Sequence, residues 1–324
     1  MTTLFEYSIG IDVGGTSLRV ALLRAGEGRI LVERQALTLS EEGHEAVLAR
    51  LAGLVREVIS AAGALPQQVG AIGLGLPGRL DPAAGVVKFL PNLAGNWVGV
   101  RAAETLSGML DLPVHLINDA RAMTFGEWKY GAGRGVETMV CFTLGTGIGG
   151  GVVVNGRMLT DADGAVGELG HQVVVADGLP CSCGGRGCLE SYASGQAITA
   201  AGIRAVLLRW GTSIGKLADF DLNRISPKLI AQAAQAGDPF AQEIFAQAGL
   251  YLGIGISNVV LALHPQRVVI GGGLAQVGDL LLEPARQTLR ERVHLMFVAD
   301  IEIMPAQLGI DAGLIGAASW TEQR

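Results

Sequence analysis

The sequence predicts an α/β protein built from two related halves, and two observations carry that prediction. Residues 9–23 (IGIDVGGTSLRVALL) and 140–154 (VCFTLGTGIGGGVVV) align without gaps at an offset of 131. Each is an apolar strand, a Gly/Thr turn and a second run rich in Val, Leu or Ile. Elsewhere, short apolar strands alternate with stretches whose apolar residues recur at helical spacing. At 324 residues the chain is too long for one ordinary core, so two domains are expected.

The elements follow in order. Beyond the first glycine turn, Leu18, Val20 and Leu22 alternate with other residues, so that loop joins two strands. Helical spacing covers 43–62, and 69–76 is a strand entering the turn Pro77-Gly78. Residues 114–117 form a strand ending at Asn118-Asp119, ahead of a helical stretch over 120–128. That dipeptide fits a strand end where α/β folds place ligands, and equally a helix N-cap. In the second half, GTGIGG at 145–150 satisfies G-x-G-x-x-G, but Val152, Val153 and Val154 follow where a dinucleotide loop opens a helix. No GK[ST] sequence occurs, which removes the ordinary P-loop. Helices are expected over 228–236 and 239–263. The apolar run 250–263, broken by Gly253, Gly255 and Asn258, reads as a buried helix too short to span a bilayer. A short buried strand, 268–270, runs into Gly271-Gly272-Gly273.

Composition narrows the function classes. Hydrophobic residues make up 49%, enough for a large core, and the net charge of −6 leaves no basic footprint for nucleic acid. The N-terminus carries Glu6 where a signal peptide has a positive flank, so a cytoplasmic protein without a membrane partner is expected.

Two glycine hairpins, one per half, suggest a fold that grips a polyanion. Backbone N–H groups at Gly14, Gly15, Gly145 and Gly147 can form anion nests, with Thr16 and Thr146 adding hydroxyls. Asp12 would repel phosphate unless Mg2+ lies between them. A pair of tight hairpins with Asp12 as turn former is the alternative for either loop alone; their pairing favours a nucleotide.

The densest chemistry lies at 164–195. Cys181, Cys183 and Cys188 follow His171 as H-x9-C-x-C-x4-C, a Cys3His set of the kind that closes around structural zinc. A disulfide fits poorly, because Cys181 and Cys183 are too close for an easy bridge. Glu168 and Glu190 flank the knot. Cys141, the fourth cysteine, sits in an apolar strand and reads as core.

These pieces resemble the ROK family of bacterial sugar kinases and sugar-responsive repressors, and within it the ATP-dependent glucokinases. The matching motifs are DVGGT at 12–16, LPG at 76–78, PNL at 91–93, ND at 118–119, LGTGIGGG at 144–151, GELGH at 167–171, CSCGGRGCLE at 181–190 and IGGG at 270–273. They stand in family order over nearly the whole chain. The resemblance implies an actin-like, hexokinase-type two-domain kinase fold with duplicated halves and an interdomain cleft. We place the smaller domain at 1–118 plus 305–324 and the larger at 119–304. It further implies γ-phosphoryl transfer from ATP with Mg2+ to a hexose, D-glucose first, with Asp119 as general base. Gly78, Asn92, Asn118, Asp119, Glu168, His171 and Glu190 match its sugar-binding positions. Asp12, Gly14, Gly15, Thr16, Gly145, Thr146 and Gly147 match its phosphate-binding positions. Gly272 and Gly273 would approach the adenosine, and one structural Zn2+ per chain would sit on His171, Cys181, Cys183 and Cys188. A homodimer or higher homo-oligomer is expected.

One local departure concerns PNLAGNW, where Asn96 precedes Trp97 and many relatives have the aromatic directly after glycine. The rivals are kinases for N-acetylmannosamine, N-acetylglucosamine, mannose, fructose or allose. A sugar-sensing repressor would need a helix-turn-helix module, for which the expected first strand at about Ser8 leaves no room. Polyphosphate as donor would favour a basic channel, and neither loop shows a lysine cluster.

Overall fold

The computed structural model describes residues 5–90, 93–160, 164–208 and 210–323. The chain divides into two compact units, Met1–Gly135 with Arg157–Gly167 and Gln307–Arg324, and Val136–Gly156 with Glu168–Ala306. From the N-terminus come β1 (Tyr7–Val13), β2 (Ser17–Arg24), β3 (Arg29–Leu37), α1 (His44–Ala61), β4 (Val69–Leu76), β5 (Arg79–Asp81) and β6 (Val86–Phe89). Next are α2 (Ala102–Leu110), β7 (Val114–Asn118), α3 (Asp119–Tyr130), β8 (Met139–Leu144), β9 (Ile148–Val154) and the two-residue β10 (Arg157–Met158). Then follow α4 (Glu190–Ala193), α5 (Gly195–Leu207), α6 (Ile214–Leu217), α7 (Pro227–Gln235) and α8 (Pro239–Leu263). The chain ends with β11 (Arg267–Gly271), α9 (Asp279–Arg292), β12 (Glu302–Pro305) and α10 (Ala312–Trp320).

The duplication is visible in the sheets. One has the order β3-β2-β1-β4-β7 and the other β10-β9-β8-β11-β12. In each, the central strand pairs antiparallel with the strand after its glycine turn, β1 with β2 and β8 with β9. On its other side it pairs with a parallel strand, β4 or β11, which is followed by another, β7 or β12. The offset of 131 carries Ser17, the first residue of β2, onto Ile148, the first of β9.

In the first unit Leu18, Val20 and Leu22 join the core beneath α1, whose Leu48, Leu51, Val55 and Val58 are buried. Ala21 and Leu23 point the other way, to Leu314, Ile315 and Ala318 of α10. That second face packs backbone against backbone. A Cβ on Gly73 of β4 would lie 1.8 Å from the Ala317 carbonyl oxygen, and one on Gly316 of α10 would lie 1.7 Å from that of Ala122 in α3. The buried Glu127 of α3 accepts from Ala132 N at 2.8 Å, Gln307 N at 3.1 Å and Leu308 N at 2.8 Å, fastening the returning chain. Packing on α10 places α3 with the first unit, so the boundary expected at 118/119 moves to 135/136. Residues 157–167 also join that unit, and the C-terminal return begins at 307 where 305 was expected.

In the second unit α8 runs through the core, with Phe245, Leu252, Ile256 and Val260 buried beside α4, α5, α7 and α9. Its 25 residues are long and apolar enough to cross a membrane by length and composition, so the expected limit of length does not hold. More than half of its most apolar window is nevertheless buried inside the protein, as a core helix requires. Cys141 is buried on β8, as its apolar neighbours imply.

Candidate active site

In the first unit, strand-to-helix and strand-to-turn junctions gather three of the expected acceptor residues. Asn118 ends β7 and N-caps α3: its Oδ1 accepts from Arg121 N at 3.2 Å, and its Nδ2 donates to the Gly78 carbonyl at 3.1 Å. One amide thus serves the helix start and the β4–β5 turn together, leaving a single N–H for a ligand. Asp119 opens α3 and accepts from Ala120 N at 2.8 Å. The cap reading of the dipeptide holds, with the role falling to Asn118 at the end of β7. Asn92 lies outside the described residues. Trp97 is buried in the core of this unit, its indole N–H donating to the Ala94 carbonyl at 3.1 Å, while Asn96 is exposed.

The first glycine turn belongs to the same unit. Gly14 N donates to Ser17 O at 2.9 Å, and Thr38 Oγ1 donates to Gly14 O at 2.7 Å. The Gly14 N–H expected to meet phosphate is therefore spent inside the hairpin. Gly15 and Thr16 remain exposed at its tip. Behind the turn, burial pushes the Asp12 carboxyl above the usual carboxylate range and the Arg19 guanidinium works against it.

The second unit carries the cysteine knot. The candidate ligand atoms of His171, Cys181, Cys183 and Cys188 all lie within 4.8 Å of one another. Cys181 Sγ is 3.5 Å from His171 Nδ1, and Cys183 Sγ is 3.7 Å from Cys188 Sγ. A tetrahedron with Zn–S of about 2.3 Å and Zn–N of about 2.05 Å has S···S edges near ~3.8 Å and S···N edges near ~3.6 Å. The donor set and both spacings therefore fit a zinc-sized ion. Burial opposes ionisation of Cys181, but hydrogen bonds from Cys183, His171 and Cys188 outweigh it and hold the thiol down to about 7. Burial and its thiol neighbours push Cys188 up to about 12. Glu168 precedes the short turn Leu169–His171, and Glu190 begins α4 with its Oε1 3.3 Å from Ser182 Oγ.

A cavity of about 1010 Å3 opens beside the second glycine turn. Gly145, Thr146 and Gly273 all line it, so it unites the expected phosphate and adenosine loops. Gly272 lies behind, against the Leu144 carbonyl. Gly145 N is used internally, donating to Gly147 O at 3.0 Å, so Gly145 offers its exposed surface but not its N–H. Sequence reasoning missed the rest of this cavity. Gln196, Thr199, Ala200 and Ile203 line it from α5, and Lys228, Ala231, Gln232 and Gln235 from α7. Both sets repeat at i, i+3, i+4, i+7, one helix face each. The signal available was a face mixing amides with small apolar residues, too faint beside a glycine motif.

The ROK family profile matches residues 8–324. The glucokinase of Thermotoga maritima is 37% identical over 316 residues, which are 98% of this chain and 97% of that protein. The crystal structure of a ROK family glucokinase from Streptomyces griseus in complex with glucose and AMPPNP is similar at a TM-score of 0.82 and 32% identity, covering 98% of this chain and 100% of that one. A ROK family transcriptional regulator is similar at a TM-score of 0.87 and 29% identity, over 99% of this chain and 79% of the regulator. The duplicated sheets are thus those of the actin-like, hexokinase-type kinases. With the profile matched from the first strand to the last residue, and likeness covering 97% of the Thermotoga maritima glucokinase, this chain belongs to the ROK family.

Proposed function

We propose that the chain is an ATP-dependent sugar kinase that converts D-glucose to glucose 6-phosphate. The observation that carries this reading is the cavity uniting Gly145, Thr146 and Gly273, because it brings the phosphate and adenosine loops of the family pattern into one lining. Its volume suits a nucleotide, and its lining is amide-rich and apolar with Lys228 as the sole formal charge among the described lining residues. That composition favours a nucleoside triphosphate over a polyphosphate chain, which needs cations along its length.

The acceptor chemistry rests on the family positions. Asp119 takes the proton from the attacking sugar hydroxyl; its Oδ1 already accepts from Ala120 N, which fixes the carboxylate at the helix start. Asn118, Glu168, His171 and Glu190 hydrogen-bond the remaining hydroxyls, and Gly78 is held in place through Asn118. Thr16, Gly15, Thr146 and Gly147 hold phosphates. Mg2+ supplies charge neutralisation on the donor. His171, through Nδ1, and the thiolates of Cys181, Cys183 and Cys188 would hold a structural zinc, which would leave His171 Nε2 to the sugar and steady the loop bearing Glu168 and Glu190. A homodimer is part of the same proposal.

The test is an ADP-release assay coupled to a hexose panel with ATP and Mg2+. Turnover with glucose well above that with mannose, fructose, allose and the N-acetylhexosamines supports the reading; preference for an N-acetylhexosamine moves the substrate. The likeness to a regulator gives the assay its other arm. A protein that binds sugar in calorimetry yet releases no ADP with any of them is a sensor.

A further inference from the structure

Glu190 makes a contact that a sugar ligand does not need. Its Oε2 accepts from the backbone N–H of Ile148 at 2.8 Å, at the end of the second glycine turn. Its other oxygen faces Ser182 Oγ at 3.3 Å and Cys181 Sγ at 4.0 Å. One carboxylate thus spans from the cysteine knot to the loop between β8 and β9. The same segment grips that loop again, since Gly195 N donates to Gly145 O at 2.9 Å and Gln196 N to Thr146 O at 3.4 Å. Gly147 is shaped by the carboxylate itself: a Cβ there would lie 2.3 Å from Glu190 Oε2.

A negative charge beside a phosphate loop is electrostatically costly, and it also occupies an N–H that an anion nest would use. Its presence calls for a compensating role, and the geometry supplies one. The Gly145 N–H is turned inward to Gly147 O, Gly145 O and Thr146 O are held by the Gly195 and Gln196 amides, and the Glu190 carboxylate holds the remaining end of the loop at Ile148 N. We propose that Glu190 is a positioning residue for the phosphoryl donor: it fixes the 145–148 loop in its phosphate-binding shape while its other oxygen stays on the acceptor side. The proposal rests on the reading of that loop as the donor-phosphate site and deepens it.

Glu190→Gln and Glu190→Ala test it together, because both remove the charge but only glutamine keeps an oxygen for Ile148 N. Magnesium AMPPNP is titrated calorimetrically without any hexose, so loss of a sugar contact cannot move the result. The alanine variant is expected to bind about fivefold more weakly than the glutamine variant, the size of one neutral hydrogen bond. Amide hydrogen exchange at Ile148 is expected to quicken at least about tenfold in Glu190→Ala and to stay slow in Glu190→Gln. Gly147→Ala, which pushes the flexible carboxylate aside, is expected to quicken exchange in the wild-type background and to add little in Glu190→Ala. Equal exchange in the two Glu190 variants, or a Gly147→Ala effect undiminished in Glu190→Ala, overturns the proposal. If the wild type binds no AMPPNP, the donor reading fails, and the exchange data still judge whether Glu190 sets the loop.

Discussion

Asp238, at the start of α8, accepts five hydrogen bonds: from Thr212 Oγ1 at 2.8 Å, Ser213 N at 2.5 Å, Ser213 Oγ at 2.7 Å, and Phe240 N and Ala241 N at 3.0 Å each. Burial alone would raise its pKa, but these donors reverse the effect and hold the carboxyl down to about 2, against 3.8 unperturbed. That difference corresponds to about 2 kcal/mol of folding stability at neutral pH. Asp238→Asn keeps one acceptor oxygen for the helix N–H groups and turns an NH2 toward donors. The hydroxyls of Thr212 and Ser213 can rotate to accept, whereas Ser213 N cannot, which adds roughly 1 kcal/mol. The expected loss is about 3 kcal/mol at pH 7, or about 4 °C in Tm for a chain of 324 residues melting as one. Because the folded pKa lies below the unfolded one, the ionic part is complete above about pH 4 and disappears as pH falls through about 2. At pH 3 about half of it should remain, on the order of 1 kcal/mol. Urea unfolding of both proteins at pH 7 and pH 3 measures the gap, and acid effects common to the two proteins cancel between them. A gap below about 0.5 kcal/mol at pH 7, or one equally large at pH 3, refutes the argument.

Asp119→Asn retains the acceptor for Ala120 N and loses the base, so turnover should drop at least about a hundredfold while calorimetric glucose affinity is largely kept. Near-normal turnover would reduce Asp119 to a helix-start residue. Elemental analysis should find about one zinc per chain, unchanged in Cys141→Ser and lost in Cys183→Ser. The latter should raise the apparent Michaelis constant for hexose more than it weakens AMPPNP binding, since the Glu190–Ile148 contact involves no thiol. Gly316→Ala forces a methyl against the Ala122 carbonyl and should destabilise the protein by roughly 3 kcal/mol, read as a lowered urea midpoint. An unchanged midpoint would mean that α10 and α3 separate freely.

Where the sequence was legible, a local rule had no competitor. The strand over 69–76 and the helix over 239–263 have in the structure the limits that periodicity assigns them, because turn residues bound one and Asp238-Pro239 starts the other. The knot was legible because four ligands within 18 residues (171–188) leave little freedom. The domain boundary was not: α3 follows β7 without a break, and its packing on α10, near the far end of the chain, assigns it to the first unit. Nor does sequence say which N–H groups of a glycine turn stay open, since Gly14 and Gly145 spend theirs on Ser17 O and Gly147 O. The cavity walls on α5 and α7 escaped for a related reason. A helix face that binds a ligand and one that meets solvent differ there only by which elements stand opposite.

The knot itself shows how a glycine-rich segment can hold carboxylates to a fixed geometry. Part of its framework runs through protein contacts alone. Leu179 N donates to Tyr192 Oη at 2.7 Å, Ser191 Oγ to Pro180 O at 3.1 Å, and Asn258 Nδ2 of α8 to Gln172 Oε1 at 3.0 Å. The Tyr192 ring lies 4.5 Å from that of Tyr251, also on α8. These bonds tie the ends of the loop, 172–180 and 189–192, to the unit's longest buried helix. The middle, 181–188, carries all three thiols and is held by backbone bonds, Cys181 N donating to Gly185 O at 2.9 Å and Gly187 N to Leu179 O at 2.8 Å, with Gly184 at a positive φ of 88°. A metal at His171 and the thiols would therefore add a second constraint to a stretch whose backbone is already folded on itself. Glu190 stands just beyond that stretch, anchored by α4 on one side and facing Ser182 on the other. Its link to the donor loop then survives a disturbed metal site, while its acceptor-side oxygen does not keep its surroundings.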